Sequence, residues 1–363
     1  MKKTTSMRKT FQSWDGESVV VSWCEPAEAW VFIARHSTVL GPATGGTRLK
    51  TYGSPAEALT DAQRLARGMT YKWAGARICL GGGKGVIAMP PDPGPRQRNQ
   101  ALDHYARVLK SMRGAFRTGA DLGTTPEDIR RIRRGSGQVV GMREGHPDDP
   151  GPFTAVGVFA GIKAALRHRF GDDSPSGRRV LIQGAGGVGR PLAALLAEAG
   201  AEILVSDLSP GAAEAVRETC GGQIVSPERM WDAEIDVYAP CAVGATVNPD
   251  TIPSLKCAIV AGSANNQLLA DSDADSLLGR GILYAPDFMI NAGGAIAFTA
   301  VARGERDPDL LNAKVAEIGQ SLQEIFEEAA SKGETPLKAA MNRAEAFLAS
   351  GGKAWPASGA SVR

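Results

Sequence analysis

The stretch Arg179–Gln183 is apolar at its centre and passes directly into Gly184-Ala185-Gly186-Gly187-Val188-Gly189, after which an apolar helical pattern runs to Ala199. No other feature restricts the fold of this chain as strongly. Glycines 184, 186 and 189 stand at the GxGxxG spacing. Gly184 would allow a tight strand-to-helix turn, Gly186 would let a pyrophosphate approach the backbone, and Gly189 would let the helix pack on the strand. A bare GxGxxG carries little weight, but this one lies between an apolar strand and an apolar helix, as the mechanism requires. A second strand, Glu202–Ser206, ends at Asp207, close to the spacing expected for a carboxylate that binds the adenosine ribose hydroxyls. A carboxylate there repels a 2′-phosphate, so the expected cofactor is NAD rather than NADP. The competing reading is an ordinary glycine-rich turn in an α/β sheet.

At 363 residues the chain exceeds one ordinary core, and two domains are expected. The segment Gly145–Pro152 is rich in Gly, Pro and Asp and is read as the boundary, separating residues 1–148 from 149–332. Beyond it, strands at Val237–Ala239, Ala258–Ala261 and Ile282–Ala285 alternate with helical segments, which implies a parallel sheet and an α/β fold with a Rossmann-type second domain. Helices are expected at Leu310–Lys332 and Pro336–Leu348, followed by a disordered tail over 351–363. In the first domain, Ser18–Trp23 and Trp30–Arg35 read as strands. Ser54-Pro55-Ala56-Glu57 reads as a capping box opening a helix whose apolar face holds Ala58, Leu59, Ala62, Leu65, Ala66 and Met69. A strand is expected to end at Gly81-Gly82-Gly83-Lys84, and a second helix to span Asn99–Met112.

Several function classes are disfavoured. A formal net charge of +2 gives no field that would draw nucleic acid or an anionic membrane. The run Arg130-Arg131-Ile132-Arg133-Arg134 has no interleaved aromatics and reads as a solvated helix face. No stretch of 18 apolar residues offers a membrane span, and the basic segment Met1–Thr10 is not followed by an apolar signal core, so a ragged start and a cytoplasmic protein are expected. The five cysteines (Cys24, Cys79, Cys220, Cys241 and Cys257) lack CxxC spacing and are expected to be reduced and mostly buried. His36, His104, His146 and His168 are scattered, so no metal site is expected.

Two lysines and an aspartate stand in unusual settings. Lys72 lies in Gly68-Met69-Thr70-Tyr71-Lys72-Trp73-Ala74, Lys84 follows three glycines, and Asp121 lies in Thr118-Gly119-Ala120-Asp121-Leu122-Gly123-Thr124-Thr125. On spacing alone these read as surface lysines and a turn aspartate. Taken with Gly41-Pro42-Ala43-Thr44-Gly45-Gly46-Thr47-Arg48 and Ala285-Pro286-Asp287-Phe288-Met289-Ile290-Asn291-Ala292-Gly293-Gly294, however, these runs resemble the leucine/phenylalanine/valine dehydrogenase family. They occur in that family's order, from about Trp14 to about Leu348.

The resemblance implies a first domain that binds the amino acid and mediates homo-oligomer contacts, a second that binds NAD, a cleft between them, and helices at about 333–350 that return to the first domain. It implies that Lys72 binds the substrate carboxylate, that Asn266, Gly45 and Met69 help hold substrate, and that Lys84 and Asp121 handle protons. It further implies that Gly187, Val188, Thr154, Ala261 and Asn291 join Gly184, Gly186, Gly189 and Asp207 at the cofactor. The partners would be an amino acid or its 2-oxo acid, and ammonia.

Thr44, Gly119, Val140, Ala295 and Phe298 would form the side-chain pocket. None is charged, and Gly119 and Ala295 leave space for a large group. Phe153–Phe159 and Gly294-Ala295-Ile296 look more like the phenylalanine branch than the leucine branch, so an aromatic substrate is expected, with a branched-chain amino acid or tryptophan as the alternative. Thr44 and Phe298 depart from the residues common in the family, which bears on substrate identity rather than on reaction class. A nucleotide-sensing protein that has lost catalysis is the reading from a different class.

Overall fold

In the computed structural model, which describes residues 11, 14–140 and 149–353, the first sheet is organised around a strand made largely of glycine. The described residues fall into two compact units, 11–140 with 347–353 and 149–346. In the first, β1 (Ser18–Cys24) and β2 (Ala29–Ser37) form an antiparallel hairpin, with Val20 opposite Ile33. They are joined by β3 (Ala43–Thr51), β4 (Gly81–Met89) and β5 (Phe116–Ala120) in the order β1-β2-β4-β3-β5. β2 runs antiparallel to β4, while β3 lies parallel to both β4 and β5.

The expectation that a strand ends at Gly81–Lys84 is wrong: β4 begins there, and every one of its residues is buried. The glycines are sites of close approach on both faces of the sheet. A Cβ on Gly82 would lie 2.0 Å from Thr70 Oγ1 on helix α1 (Pro55–Gly75), and one on Gly85 would lie 2.2 Å from the Tyr105 hydroxyl on α2 (Pro95–Ser111). Val86 and Ala88 then pack with Ala58, Leu59, Ala62 and Ala66 of α1, while Ile87 and Met89 join Leu102, Tyr105 and Leu109 of α2 on the other side.

Helix α1 starts where its cap signals place it. Ser54 Oγ accepts from Glu57 N at 3.2 Å, and Glu57 reaches back to Gly53 N at 3.1 Å. The arginine run lies on α3 (Pro126–Ser136), where Ile129 and Ile132 are fully buried while Arg130 and Arg134 pair with Glu127 and Arg131 pairs with Asp103. It is a salt-bridged helix face.

The second unit is a fully parallel sheet in the order β11-β10-β9-β6-β7-β8. Its strands are β6 (Arg179–Gln183), β7 (Glu202–Ser206), β8 (Gln223–Ile224), β9 (Val237–Pro240), β10 (Ile259–Val260) and β11 (Leu283–Tyr284). The order reverses between β6 and β9, the switch point at which doubly wound sheets bind ligands beyond their strand ends. The helices are α4 (Gly151–Phe170), α5 (Gly189–Glu198), α6 (Pro210–Cys220), α7 (Asp273–Gly279), α8 (Asp287–Ile290), α9 (Gly293–Ala302), α10 (Pro308–Lys332) and α11 (Pro336–Ala349). Gly157 and Gly161 let α4 sit close to α10: a Cβ at either would fall within 2.9 Å of Ile318 or Leu322 side-chain carbons.

Of the expected tail, Gly351–Lys353 is ordered within the first unit, where Gly352 passes beside Cys79 Sγ and Leu40. Residues 354–363, the basic segment 1–10, His146 and the first half of the expected boundary segment lie outside the described residues. No helix among the described residues is long and apolar enough to cross a membrane. The five thiols are unpaired, but the expectation that most are buried needs correction: Cys24 and Cys257 are buried, Cys220 and Cys241 are half-buried, and Cys79 is exposed.

The Gly82 contact generates a stability prediction. Gly82→Ala places a methyl against Thr70 backbone as well as its hydroxyl, so α1 must shift off the sheet. The expected loss is about 1–3 kcal/mol, the usual range for overpacking. Denaturant or thermal unfolding of the variant measures it, and wild-type stability would show that the helix–sheet contact is loose.

Candidate active site

Lys84 stands on β4, the central strand, opposite Ala34 of β2, and only 4% of its side chain is exposed. Asp121 is the first residue beyond β5. Its turn is tied down locally: Asp121 N donates to Thr124 Oγ1 at 3.0 Å, and Thr124 Oγ1 donates to Asp121 O at 2.7 Å. Leu49 N donates to Leu122 O, and Arg98 from α2 donates to Gly123 O at 2.6 Å. Gly123 has φ +81°, and a Cβ there would lie 1.8 Å from Leu49 O, so both its backbone conformation and its neighbour call for glycine.

These elements place Lys84 Nζ 3.1 Å from Asp121 Oδ1. The second Asp121 oxygen accepts from Arg48 Nε at 3.0 Å. Arg48, on β3, also reaches Asp61 Oδ2 of α1 at 3.1 Å, and Tyr52 Oη donates to the same oxygen at 2.7 Å. Lys84, Asp121, Arg48, Asp61 and Tyr52 thus form one continuous polar chain along the α1 side of the sheet.

The charges in this chain are strongly perturbed. Burial lowers the Lys84 pKa, and repulsion from Arg48 adds to that, against the opposing pull of Asp121. Burial alone would raise the Asp121 pKa, but Lys84 and Arg48 outweigh it and bring the carboxyl to about 2. Arg48 is disfavoured by burial, yet Asp121 and Asp61 hold it firmly protonated. Tyr52 is pushed far upward by burial and by its bond to Asp61.

The other expected residues of the first unit are placed as follows. Lys72 is half-buried in the last turn of α1. Met69 is close to Gly45, its Cγ 3.3 Å from where a Cβ on that glycine would stand. Gly119 adjoins Val140 with room for a methyl, the nearest atom being Val140 O at 3.5 Å. Thr44 is buried, its hydroxyl donating to Pro42 O at 3.1 Å and its carbonyl accepting from Trp73 Nε1 at 2.9 Å.

In the second unit the glycine loop behaves as the spacing requires. Gly184 has φ +102° and lies against Ala242, and a Cβ on Gly189 would come within 1.8 Å of Gly184 O. Gly186 and Gly187 are exposed, with open space where a Cβ would be, and α5 begins at Val188 with no side chain capping its amides. An uncapped helix start beside bare glycines is suited to a diphosphate. Asp207 follows β7, and its oxygens accept from Ala185 N and Ser209 N, each at 2.7 Å.

Ala261 is buried at the end of β10. Thr154 Oγ1 bridges Pro150 O and Gly294 N at 2.9 and 3.2 Å. Asn291 Nδ2 donates to Ser263 O and Asn265 Oδ1, while its side-chain Oδ1 is buried with no partner among the described residues, an acceptor suited to a ligand amide. Asn266 has φ +52°, and its amide is held by Asp287. Ala295 and Phe298 lie three residues apart on α9, both partly exposed. The residues of this unit fit a dinucleotide. Among the described residues no cluster of His, Cys, Asp and Glu could hold a metal.

Sequence reasoning missed Arg48, Asp61 and Tyr52. Arg48 closes the Gly41–Arg48 motif, and an arginine inside a glycine-rich strand was a usable signal. Asp61 abuts the apolar stripe of α1 at Ala58 and Ala62 and could have been flagged as a half-buried charge.

A dinucleotide-type sheet and a buried lysine–carboxylate pair together define a two-unit α/β dehydrogenase. Residues 26–135 match the Glu/Leu/Phe/Val dehydrogenase dimerisation domain, and residues 208–353 match the Glutamate/Leucine/Phenylalanine/Valine dehydrogenase family. Leucine dehydrogenase of Thermoactinomyces intermedius is 40% identical over 337 residues, covering 92% of this chain and 91% of that protein. Phenylalanine dehydrogenase of Lysinibacillus sphaericus is 40% identical over 321 residues, covering 86% and 83%. The crystal structure of L-tryptophan dehydrogenase from Nostoc punctiforme matches with a TM-score of 0.77 at 38% identity, covering 96% of this chain and all of that one. The chain belongs to the Glu/Leu/Phe/Val dehydrogenase family and is an amino-acid dehydrogenase.

The Asp121 environment predicts a pH signature. The folded state holds this carboxyl below its ordinary value of 3.8, so its contribution is present above about pH 4 and is lost as pH falls towards about 2. Asp121→Asn is expected to lower the thermal midpoint near neutral pH and to converge with wild type between about pH 4 and 2. A constant difference across that window would show that the two cations do not hold the carboxylate ionised.

Proposed function

We propose that this chain catalyses the reversible NAD-dependent oxidative deamination of a hydrophobic L-amino acid, with an aromatic side chain favoured, to the 2-oxo acid and ammonia. The observation that carries the reading is Lys84: a lysine buried in a sheet centre, biased towards its neutral form and hydrogen-bonded to a carboxylate. A neutral amine in such a place is a base that works near neutral pH.

The first unit holds the amino acid and the second holds the cofactor. The Lys72 ammonium pairs with the substrate carboxylate, with Gly45, Met69 and Asn266 helping to hold the substrate. NAD, bound at Gly184, Gly186, Gly187, Val188 and Gly189 with Asp207, Thr154, Ala261 and Asn291, supplies the acceptor for the hydride that leaves Cα. Lys84 then takes a proton from a water as its oxygen bonds to the electron-poor imine carbon. Asp121, which took a proton from the substrate ammonium before the hydride left, returns it to the nitrogen; the hydroxyl proton then passes to the freed Asp121 carboxylate as the C=O bond forms, the C–N bond breaks and ammonia departs. While Lys84 is neutral, one of the two cations on Asp121 is gone, which makes the carboxylate more basic when it takes the proton from the substrate ammonium. The enzyme works in the cytoplasm as a homo-oligomer, and the match of the first unit to a dimerisation domain supports the latter.

The aromatic preference is supported by the two small pocket positions. At Gly119 a methyl would meet only Val140, at ordinary contact distance, and Ala295 is partly exposed. A branched-chain substrate is the second reading, supported by the similarity to leucine dehydrogenase.

Following NADH absorbance with a panel of L-amino acids, and with NAD against NADP, tests the whole reading. No turnover with any of them, or a preference for NADP, overturns it. Lys84→Ala should lose about 10²–10⁴-fold in kcat, the usual worth of a proton-transfer group, with nucleotide affinity kept. Ala295→Val adds two methyl groups and should lower kcat/KM for phenylalanine relative to leucine by roughly 5–150-fold, the equivalent of a 1–3 kcal/mol clash. An unchanged ratio would remove Ala295 from the pocket.

A further inference from the structure

Arg48 has no part in the reaction set out above, yet its side chain is only 14% exposed and lies between two carboxylates. Its Nε donates to Asp121 Oδ2 at 3.0 Å and its Nη1 to Asp61 Oδ2 at 3.1 Å, and Tyr52 Oη donates to the same Asp61 oxygen at 2.7 Å. The four groups come from different places: β3, the end of β5, α1, and the residue after β3. Asp121 has one torsion that turns the plane of its carboxylate. With Arg48 on one oxygen and Lys84 on the other, that plane is fixed.

We propose that Arg48 is a positioning residue for the reaction: anchored by Asp61 and Tyr52, it fixes the Asp121 carboxylate so that Oδ1 is directed at Lys84. The inference rests on the reading of Lys84 as the base. Only a guanidinium meets this geometry, because two diverging N–H groups on one rigid plane must reach two acids, whereas an ammonium acts as a point charge. Misplacement of a reacting group by about 1 Å costs on the order of 10²-fold in rate.

The charges give the test its direction. The charged groups acting on Lys84 are Asp121, Arg48 and Asp61, and its neighbour on β2 is the uncharged Ala34. With all four groups ionised, two positive and two negative charges balance. Arg48 disfavours the Lys84 proton and Asp61 favours it. Removing either should therefore move the rising limb of the deamination pH profile, in opposite senses.

The experiment is the pH dependence of kcat/KM for deamination in Arg48→Met, Arg48→Lys and Asp61→Asn, with thermal midpoints as the folding control. Arg48→Met should move the limb to higher pH and lower kcat by on the order of 10²-fold, with a much smaller change in KM. Asp61→Asn should move the limb to lower pH, and as a near-isosteric change at a site whose side chain is 23% exposed it keeps the test alive if Arg48→Met does not fold. Arg48→Lys should keep the limb near its wild-type place while kcat still falls, since charge is retained and the fork is lost. Unmoved limbs in Arg48→Met and Asp61→Asn, or wild-type kcat in Arg48→Lys, overturn the proposal. Retained turnover in Lys84→Ala would instead overturn the base assignment, so the two failures are told apart.

Discussion

The first unit depends on one costly act, the burial of a lysine in the middle of a sheet. A cation there loses its hydration, and the structure answers in two ways at once. It supplies a carboxylate at 3.1 Å, and it surrounds the strand with glycines that bring α1 and α2 close. The first makes the charge tolerable, and the second excludes water. On the proposed reading of Lys84, neither alone would yield a useful base. A lysine fully neutralised by Asp121 would keep its proton, and a lysine without Asp121 would have no partner to exchange it with.

The rest of the polar chain balances those demands. Arg48 weakens the hold of Asp121 on Lys84 by competing for the same carboxylate, and Asp61 in turn tempers Arg48. Buried charge networks of this kind are weak evidence for stability, because desolvation cancels much of the attraction. They are better understood as devices that fix geometry and proton affinity. The backbone supports that view: the Asp121 turn is held from within by Thr124 and from outside by Leu49 of β3 and Arg98 of α2.

Much of this was legible in the sequence, for identifiable reasons. The second unit follows from local signals: β6 and β7 lie where their apolar runs place them, and Gly184, Gly186 and Gly189 occupy the environments that the spacing assigns. Helix α1 was legible because Ser54, Pro55 and Glu57 mark its start. The first sheet was harder. In β3, β4 and β5 glycines interrupt the branched and aromatic residues by which strands are recognised, and the strand at Gly81 was given the wrong direction from the loop. Lys84 and Asp121 drew attention only through the family motifs. Arg48 and Asp61 stayed hidden because their meaning lies in a contact between residues 73 positions apart, and between strand and helix, which no local pattern encodes.

Asp207 carries a consequence of another kind. Its two oxygens already accept from the amides of Ala185 and Ser209, so the carboxylate splints the glycine loop in addition to standing at the end of β7. On the proposed reading of Asp207 as the ribose contact, recognition and scaffold meet in one side chain. A chain redesigned at position 207 to accept a phosphorylated ribose would lose the splint in the same step, leaving two loop amides to find new acceptors. A change of cofactor made through position 207 would therefore call for a second support for the loop.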